Sequence, residues 1–331
     1  MHFAFDDDQI AVRDAVASLL DKRCDVASLE QAWNAGSASP LRPLWEELAG
    51  LGVQGLLVPE SSGGSGLDWV TMALVLAESG RVALPLPVLE TAAVAVPAFV
   101  SAGDPAGLLP SVLDGSLAVS VVSRSGLAPA AGVAGAFIAD GPDGAVVYRR
   151  SEVLLDPVKS VDRTRDLARV SPIGVGTPLG RLPVEQWCAL GAAAQLVGLG
   201  RELIRMTVNY VKERRQFGVA VGSFQAVKHQ IANAHLAIEF AAPPVWAAAH
   251  LCDQPMAGSD STDLLRATSM AKALASDAAS LASKVALQCH GAMGYTDDYP
   301  LHFWLKRVWC LAAAHGSSAD HTFKVATTLG I

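Results

Sequence analysis

The 331-residue chain is poor in charged and aromatic side chains. Charged residues make up only 17% of it and aromatic residues 6%, whereas 51% of the residues are hydrophobic. This composition excludes a disordered chain and predicts a globular protein with extensive buried or subunit-contacting surface. Alanine is abundant, which favours closely packed helices. The length suggests two or three domains.

The chain also lacks a run of basic residues. Its net charge is −7, and no Lys/Arg cluster of the kind that grips a nucleic-acid backbone is present, so we expect no nucleic-acid partner. The first residues carry Asp6, Asp7 and Asp8 where a signal peptide would have a basic flank and an apolar core. No uninterrupted apolar stretch reaches membrane-spanning length. We therefore expect no membrane segment and a cytoplasmic location.

The cysteines and histidines show no metal-ligand spacing. The cysteines are odd in number, scattered and without a CxxC pair, which favours reduced structural thiols over a disulfide framework or a zinc site. They are Cys24, Cys188, Cys252, Cys289 and Cys310. For most of the histidines we expect only solvent contact or local hydrogen bonds, and we predict no metal. These are His229, His235, His290, His302 and His321.

Hydrophobic periodicity divides the chain into three regions. Helical patterns predict an N-terminal helical domain over residues 1–113. The predicted helices cover residues 6–23, 41–50, 68–80 and 90–102. Residues 114–183 are rich in Val, with a hairpin signal between Gly141 and Gly144, and predict a small antiparallel β domain. Residues 184–331 return to helical spacing and predict a four-helix bundle that serves as an oligomerisation surface.

The four bundle helices are predicted from the spacing of their apolar residues and from the residues that interrupt a helix. The first covers residues 184–213, and the third ends near His290. The second begins at Ser223 as a cap, and the fourth runs from Tyr299 towards Gly316. Pro243 and Pro244 predict a kink or break in the second helix.

The densest cluster of specific side chains lies in the stretch YVKERRQFGVAVGSFQ, residues 210–225. Arg214 and Arg215 are predicted in the last turn of a helix, where cations meet the negative end of its dipole. Gly218 is predicted to supply a left-handed stop. This structural interpretation accounts for a basic residue and a glycine, and on spacing alone it is favoured.

The same stretch has a functional interpretation, because Gln216, Phe217 and Gln225 are not explained by a helix end. An Arg fork can bind a phosphate through two hydrogen bonds. A Phe can pack on a ring, and amides can hold ribose or adenine edges. The second interpretation of this set is therefore a cofactor-binding site.

A second stretch, QCHGAMGYT, follows a predicted helix at residues 288–296. It has glycine at positions 291 and 294. One interpretation is a helix C-cap and turn. The other is a close backbone approach to a ligand, which the missing Cβ allows. The spacing alone leaves both open.

Several motifs in order resemble the acyl-CoA dehydrogenase flavoproteins. RRQFG, SFQAVKH and QCHGAMGYT resemble the C-terminal half of that family. LVPESSGGSGLDW resembles the turn of its N-terminal helical domain, and SVDRTRDLARV resembles the end of its middle β domain. The resemblance implies a mainly α fold with an N-terminal helical domain, a shortened middle β domain and a C-terminal four-helix bundle. It also implies a tetramer or paired dimers.

The resemblance further implies chemistry. Members use FAD to take a hydride from Cβ of an acyl-CoA thioester while a Glu removes the Cα proton, and an electron-transfer flavoprotein is the implied electron acceptor. Arg214 would meet the FAD pyrophosphate, Gln216 and Phe217 would lie along the cofactor, and Gln225 would lie near its ribose-adenine end. A second FAD-contacting turn is implied, formed by Gln288, Gly291 and Ala292. In the family these two motifs reach across to FAD held mainly by the neighbouring subunit.

The sequence departs from the family at the flavin ring and at the base. The family's Thr-Glu-Pro…Gly-Ser motif is absent, and the chain reads SVVSRSGLAPAAG there. His315 stands where many members have the catalytic Glu. A second family position for the base falls near Cys188 or Gln195, and neither of these residues is a carboxylate. Glu185 lies one helical turn before Cys188 and is the nearby carboxylate. We therefore assign no catalytic residue from the sequence.

Three hypotheses follow from this pattern. In the favoured one, the chain is a subunit that completes the FAD site of a longer homologous acyl-CoA dehydrogenase chain, as in paired subunits of steroid-CoA side-chain breakdown. In the second, it is a self-sufficient homomeric acyl-CoA dehydrogenase with a non-standard base. In the third, it is a flavin-free scaffold subunit, which the retained motifs around Arg214 and Gln288 argue against.

Overall fold

The computed structural model describes residues 4–254 and 261–331. It is mainly helical, with a small β domain between an N-terminal and a C-terminal helical domain. The α-helices are α1 Asp7–Arg23, α2 Val26–Ala35, α3 Arg42–Gly50, α4 Trp69–Arg81, α5 Val96–Ala102, α6 Leu109–Leu113, α7 Val184–Glu213, α8 Gln225–Cys252, α9 Thr262–His290, α10 Leu301–Ala313 and α11 Ser318–Leu329. The strands are β1 Val119–Val122, β2 Leu127–Ala128, β3 Ala136–Gly141, β4 Gly144–Arg149, β5 Val153–Pro157, β6 Ala168–Pro172, β7 Thr177–Gly180, β8 Arg215–Gln216 and β9 Val219–Ala220.

Aspartate caps start three of the N-terminal helices. Asp6 accepts a hydrogen bond from the backbone N–H of Gln9 at 2.8 Å and begins α1, and Asp68 begins α4 in the same way. Both helices confirm the sequence prediction within a residue or two. Asp25 caps α2, a helix that the sequence reasoning missed. The helix predicted from residue 90 begins as a π-helical turn, Leu89–Ala95, and continues as α5.

The β domain contains two small sheets. One has the strand order β1-β3-β4-β7 and the other β2-β6-β5. β3 and β4 form the predicted hairpin, with Gly141 opposite Gly144. The prediction of a wholly antiparallel domain is wrong at β1, which pairs with β3 in parallel. The reason is that the chain passes through β2, in the other sheet, before it returns alongside β1.

The C-terminal domain is organised around α7, which spans the predicted range and packs against α8, α9 and α4. Glycines allow α4 to approach α7 closely. A Cβ added at Gly198 would overlap the carbonyl oxygen of Ala77, and one added at Gly80 would overlap that of Gln195. Small residues therefore set the distance between the N-terminal and C-terminal helices.

The second and fourth bundle helices differ from the prediction. Ser223 is not the cap of α8, because it lies in a 3₁₀ turn where its Oγ donates to the carbonyl of Ala220 at 2.6 Å. α8 instead starts after Phe224. Pro243 and Pro244 do not break α8, which continues to Cys252. The fourth helix ends at Ala313, and a further helix, α11, follows and packs on α9.

A buried ion pair joins the three domains. Arg307 of α10 donates to Asp162 at the end of the β domain, and also to the Leu84 carbonyl at 2.6 Å and to Thr164 Oγ1 at 2.7 Å. Burial opposes ionisation of Asp162, but the Arg307 charge and the hydrogen bonds that its carboxylate accepts from Thr164 and Arg307 hold the pKa of that carboxyl below the usual value. One side chain thus links all three domains.

Two further sequence expectations can be compared with the described residues. All five cysteines are free thiols, as their spacing predicts. Among residues 4–254 and 261–331, none of the helices combines the length and the apolar character that crossing a bilayer would require.

Candidate functional site

The corner between α7 and α8, residues 214–225, is a two-stranded hairpin, and we call it the hairpin corner. α7 ends at Glu213. The prediction that Arg214 and Arg215 lie in the last helical turn is therefore wrong: Arg214 has extended backbone angles and Arg215 begins β8. The cause is that β8 and β9 pair immediately after the helix and draw both arginines into the hairpin.

Phe217 and Gly218 form the loop of this hairpin. Their φ angles are +53° and +82°, as in the type I′ turn that suits a two-residue hairpin loop. The left-handed conformation predicted for Gly218 is confirmed, but it closes a hairpin and does not end a helix. A bulky side chain in this conformation costs roughly 1–2 kcal/mol, yet Phe217 is 92% exposed. Such strain at an exposed aromatic residue is typical of a functional contact.

The second predicted stretch, residues 288–296, follows α9 as a 3₁₀ turn, and we call it the glycine turn. Gly291 has a φ of +56°, and a Cβ added there would meet no atom of the chain within 4 Å. Its backbone is therefore open to approach from outside. This geometry combines the two interpretations that the sequence left open, a helix end and an accessible backbone.

Tyr210 connects the glycine turn to the hairpin corner. Its ring stacks on His290 with the ring centroids 4.3 Å apart, and its hydroxyl donates to the His290 carbonyl at 3.3 Å. The carbonyl of Tyr210 accepts from the backbone N–H of Arg214 at 2.9 Å. The last turn of α7 is thereby attached to the end of α9, and two motifs about eighty positions apart in the sequence belong to one surface.

Every residue assigned to the cofactor from the sequence is exposed on this surface. They are Arg214, Gln216, Phe217, Gln225, Gln288, Gly291 and Ala292. Within residues 4–254 and 261–331, neither Arg214 nor Arg215 has an acidic partner within ion-pair distance. The surface thus offers two uncompensated guanidinium groups and three amide side chains to a group outside this chain.

A separate cavity of about 560 Å³ lies between the β domain and the C-terminal helices, and we call it the central cavity. The segment 121–129, the start of α7 and the loop between α10 and α11 contribute to its walls. Three of the positions considered for a catalytic base line it, namely Glu185, Cys188 and His315. The fourth, Gln195, is buried elsewhere and donates to Ser79 Oγ at 3.1 Å.

Glu185 is held by an arginine from the opposite wall. Arg124, in the turn between β1 and β2, pairs with its carboxylate through two nitrogen atoms, one of them 2.8 Å from Oε2. Arg124 belongs to the segment SVVSRSGLAPAAG. Burial raises the pKa of the nearby Cys188 thiol well above its usual value, so it is not an ionised group. At this end of the cavity the Glu185 carboxylate is thus already paired with Arg124.

His315 is a poor proton acceptor. Its φ is +59°, and its Nε2 is enclosed without a hydrogen-bond partner among the described residues. Burial, reinforced by the charges of Arg165 and Lys272, lowers the pKa of His315 to about 3. Because a general base works best with a pKa near the working pH, His315 is unsuited to removing a carbon-bound proton.

Two buried side chains fix the loop that carries His315. Lys272 Nζ donates to the carbonyls of Ala312 and Gly316, both at 3.1 Å. His321 Nε2 donates to the carbonyl of His315 at 2.9 Å. The left-handed backbone of His315 is thus determined by contacts on both sides of the residue.

The other histidines have local roles or are exposed. His290 contacts the carbonyl of the residue four positions earlier at 2.7 Å, and His302 packs edge-on against Trp33. His229 and His235 are exposed. Within the two described ranges, His, Cys, Asp and Glu nowhere gather in a group of three that could hold a metal ion.

Sequence reasoning missed two residues that shape these sites. Tyr210 joins the two motifs through a tertiary contact that no local spacing encodes. Arg124 could have been noticed, because it is the one charged residue in SVVSRSGLAPAAG. Its partner Glu185 lies 61 positions away, so the local sequence gives no sign of the pairing.

Family models match most of the chain. The acyl-CoA dehydrogenase N-terminal domain matches residues 6–108, and the acyl-CoA dehydrogenase C-terminal domain matches residues 186–329. The acyl-CoA dehydrogenase IpdE2 of Mycobacterium tuberculosis is 30% identical over 309 residues, which cover 93% of this chain and 91% of IpdE2. The acyl-CoA dehydrogenase FadE34 of the same organism is 30% identical over 340 residues, covering 94% of this chain but only 46% of FadE34.

Solved structures share the fold. A chain of the Tcur3481–Tcur3483 steroid ACAD aligns with a TM-score of 0.86 at 24% identity, over 98% of both chains. A chain of the ChsE4–ChsE5 complex from Mycobacterium tuberculosis aligns with a TM-score of 0.87 at 19% identity, over 100% of this chain and 99% of the other. At these identities the likeness supports the fold alone.

Proposed function

Because this chain belongs to the acyl-CoA dehydrogenase family, we propose that it completes the FAD site of a partner chain in a heteromeric acyl-CoA dehydrogenase. The family is one of oxidoreductases, and its cofactor is FAD. One observation carries the proposal: all seven candidate cofactor residues are exposed on the outer surface of this chain. We infer from this placement that they contact a cofactor held by another subunit.

The residues present fit the groups of FAD. Arg214 and Arg215 offer guanidinium groups to the pyrophosphate. A guanidinium group binds a phosphate strongly because it can donate two parallel hydrogen bonds to it. The amides of Gln216 and Gln225 can bond ribose and adenine edges. The open backbone at Gly291 allows close approach. When bound, the flavin supplies the hydride acceptor; the residues of this chain bind and orient it.

The central cavity supports a division of labour between subunits. Arg124 occupies the segment where the family has its flavin-ring motif, and it ties up Glu185. His315, at the family's position for the base, has a strongly lowered pKa. The proton-abstracting carboxylate and the flavin-ring pocket would therefore come from the partner chain.

The partner proposed is a longer homologous acyl-CoA dehydrogenase chain. Two structural neighbours with this fold, Tcur3481–Tcur3483 and ChsE4–ChsE5, each pair two different proteins. The first is described as a steroid ACAD, and we extend to this complex the same class of substrate, a steroid-derived acyl-CoA. Electron-transfer flavoprotein is the proposed acceptor of the electrons.

Co-expression with a longer homologue tests the proposal. We expect the chain purified alone to be colourless, and the complex to carry flavin and to oxidise an acyl-CoA. The flavin absorbance spectrum and the rate of acyl-CoA turnover measure these two outcomes. A yellow, active protein from this chain alone would sink the partner role.

Arg214→Ala tests the hairpin corner. The substitution should lower the flavin content of the purified complex without changing its subunit composition, because within residues 4–254 and 261–331 Arg214 pairs with no acid. Arg42→Ala is the matched control, since Arg42 is exposed but paired with Glu46 at 3.0 Å. Unchanged flavin content in the Arg214 variant would remove that residue from the site.

A self-sufficient homomeric enzyme is the second candidate. It is favoured by the convergence of Glu185, Cys188 and His315 on one cavity. In that case Glu185→Gln would lower turnover by about 100-fold or more, the usual contribution of a general base. Under the partner role, the same variant of the complex keeps its turnover.

A further inference from the structure

An aromatic cluster lies where α7 and α9 end and α10 begins. It consists of Tyr210, His290 and Tyr299, and we call it the aromatic junction. The rings of Tyr210 and His290 stack with an angle of 22° between their planes. The Tyr299 ring packs against both, with its centroid 5.8 Å from that of Tyr210 and 5.1 Å from that of His290. Each ring of the cluster therefore contacts the other two.

The His290 ring is fixed from its own helix. It is 2% exposed, and its Nδ1 donates to the carbonyl of Ala286, one helical turn earlier, at 2.7 Å. Burial lowers the pKa of His290, so the ring stacks in its neutral form. The next residue, Gly291, has left-handed φ and leads into the glycine turn. The orientation of this ring is thus tied to the start of that turn.

Tyr210 holds the hairpin corner in a similar way. Its carbonyl accepts from the backbone N–H of Arg214, whose own carbonyl accepts from the N–H of Val221 at 2.8 Å. These two bonds attach both ends of the hairpin to the last turn of α7. The residue that supports the hairpin is therefore the one whose ring stacks on His290.

One hydrogen bond joins these two supports. Over the described parts of the chain, the bond from the Tyr210 hydroxyl to the His290 carbonyl is the one that links the last turn of α7 and the hairpin corner to the glycine turn. Further along their length, α7 and α9 pack extensively against each other. Loss of the Tyr210 ring should therefore loosen the two helix ends without unfolding the chain.

We propose that Tyr210 and His290 are positioning residues for the FAD contact, and that their stack holds the hairpin corner and the glycine turn at the separation at which both reach one cofactor. This role rests on the proposed function, since it requires that both motifs contact FAD. A site whose two halves are already in place loses less freedom on binding and binds more tightly. With the stack broken, the second half would add less to the affinity than it does in the parent chain.

Tyr210→Leu tests the stack in the complex with the longer homologue. An aromatic pair of this kind contributes enough that its loss should raise the FAD dissociation constant by about three- to tenfold, measured from the fluorescence of FAD released on dilution. Tyr210→Phe keeps the ring and should restore most of the affinity. Trp187→Leu is the matched control, because Trp187 stacks on Trp69 at the opposite end of α7. It should lower thermal stability and leave the FAD dissociation constant unchanged.

Gln288→Ala separates positioning from a general loss of stability. The substitution should weaken FAD binding strongly in the parent complex and much less in the Tyr210→Leu background, where the glycine turn is already out of place. Effects of independent sites add. An equal loss in both backgrounds would therefore overturn the positioning role.

Hydrogen exchange on the chain alone gives a measurement that needs no flavin. Tyr210→Leu should raise amide exchange in both the hairpin corner and the glycine turn, whereas His290→Phe, which keeps a ring at the junction, should leave it close to that of the parent. Unchanged exchange in Tyr210→Leu would show that the stack does not hold the two motifs.

The FAD measurements distinguish this role from the proposed function. FAD affinity that falls in Arg214→Ala and Gln288→Ala but not in Tyr210→Leu would remove the positioning role alone. FAD affinity that is unchanged in Arg214→Ala and Gln288→Ala would overturn the proposed FAD contact, and the positioning role with it.

Discussion

His315 and His321 are two histidines whose buried surroundings keep them neutral. Burial lowers the pKa of His315 to about 3 and that of His321 to about 4, from an ordinary value of 6.5. In the unfolded chain both would take up a proton near pH 6.5. Their contribution to stability is thus complete above that pH and is lost as the pH falls towards 4.

A pH series of urea unfolding checks this prediction. We expect the free energy of unfolding to fall between pH 6.5 and pH 4, and His321→Asn to flatten that slope. His229→Asn is the control, because His229 is exposed. The same slope in the His321 variant and the parent chain would show that this side chain does not carry the effect.

The backbone of Phe217 is in the left-handed conformation, which strains a bulky residue more than a small polar one. Because Asn tolerates the left-handed backbone, Phe217→Asn should stabilise the isolated chain by about 1 kcal/mol. It should at the same time lower flavin retention in the complex, since the exposed ring is lost. Thermal unfolding and flavin absorbance measure the two effects, and a variant that gains stability yet keeps all its flavin would contradict a role for the ring.

At the scale of elements, the contact between α4 and α7 depends on glycine. Gly198→Ala places a methyl group against the Ala77 carbonyl and should cost about 1–3 kcal/mol of stability, as overpacking does. Gly50→Ala, at a helix end with nothing within 4 Å, should be close to neutral. Denaturant midpoints of the two variants test the contact, and equal midpoints would show that the helices separate without cost.

The long helices were the most predictable elements. The small and apolar residues of the first bundle helix predict residues 184–213, and α7 has those bounds. The break expected at Pro243 and Pro244 fails because Pro243 is exposed and Pro244 half-buried. The helix carbonyls that lose a donor there can bond to water.

The hairpin corner was less predictable, because its geometry depends on pairing between strands of two residues each. A helix ending in glycine and a type I′ hairpin share the left-handed Gly218, and only the tertiary structure distinguishes them. The motifs predict the candidate site as a set, but the Tyr210–His290 stack and the Arg124–Glu185 pair join residues 80 and 61 positions apart. Local patterns carry no information on such contacts.

At the scale of the whole molecule, the bundle exposes apolar pairs one helical turn apart. On α8, Leu236 is 53% and Phe240 75% exposed; Met270 and Leu274 of α9 are also exposed. Large exposed apolar side chains at this spacing are typical of subunit contacts. They support the proposed assembly through this domain.

Phe240→Asp should weaken that assembly. Loss of a buried Phe contact of about 1.5–3 kcal/mol would raise the subunit dissociation constant by roughly tenfold or more, which light scattering after size exclusion would show. Leu154→Asp, at an exposed position of β5, serves as the control. An unchanged mass for the Phe240 variant would place the interface elsewhere.

The buried Arg307 has a consequence for how a cofactor shared in the proposed way would be released. It ties Asp162, Thr164 and the Leu84 carbonyl together, so opening the domains at this junction would break a buried ion pair, which is costly. A flavin held between this chain and its partner would then leave chiefly when the subunits separate. Cofactor occupancy would follow the concentration of the partner, and dilution alone would empty the site.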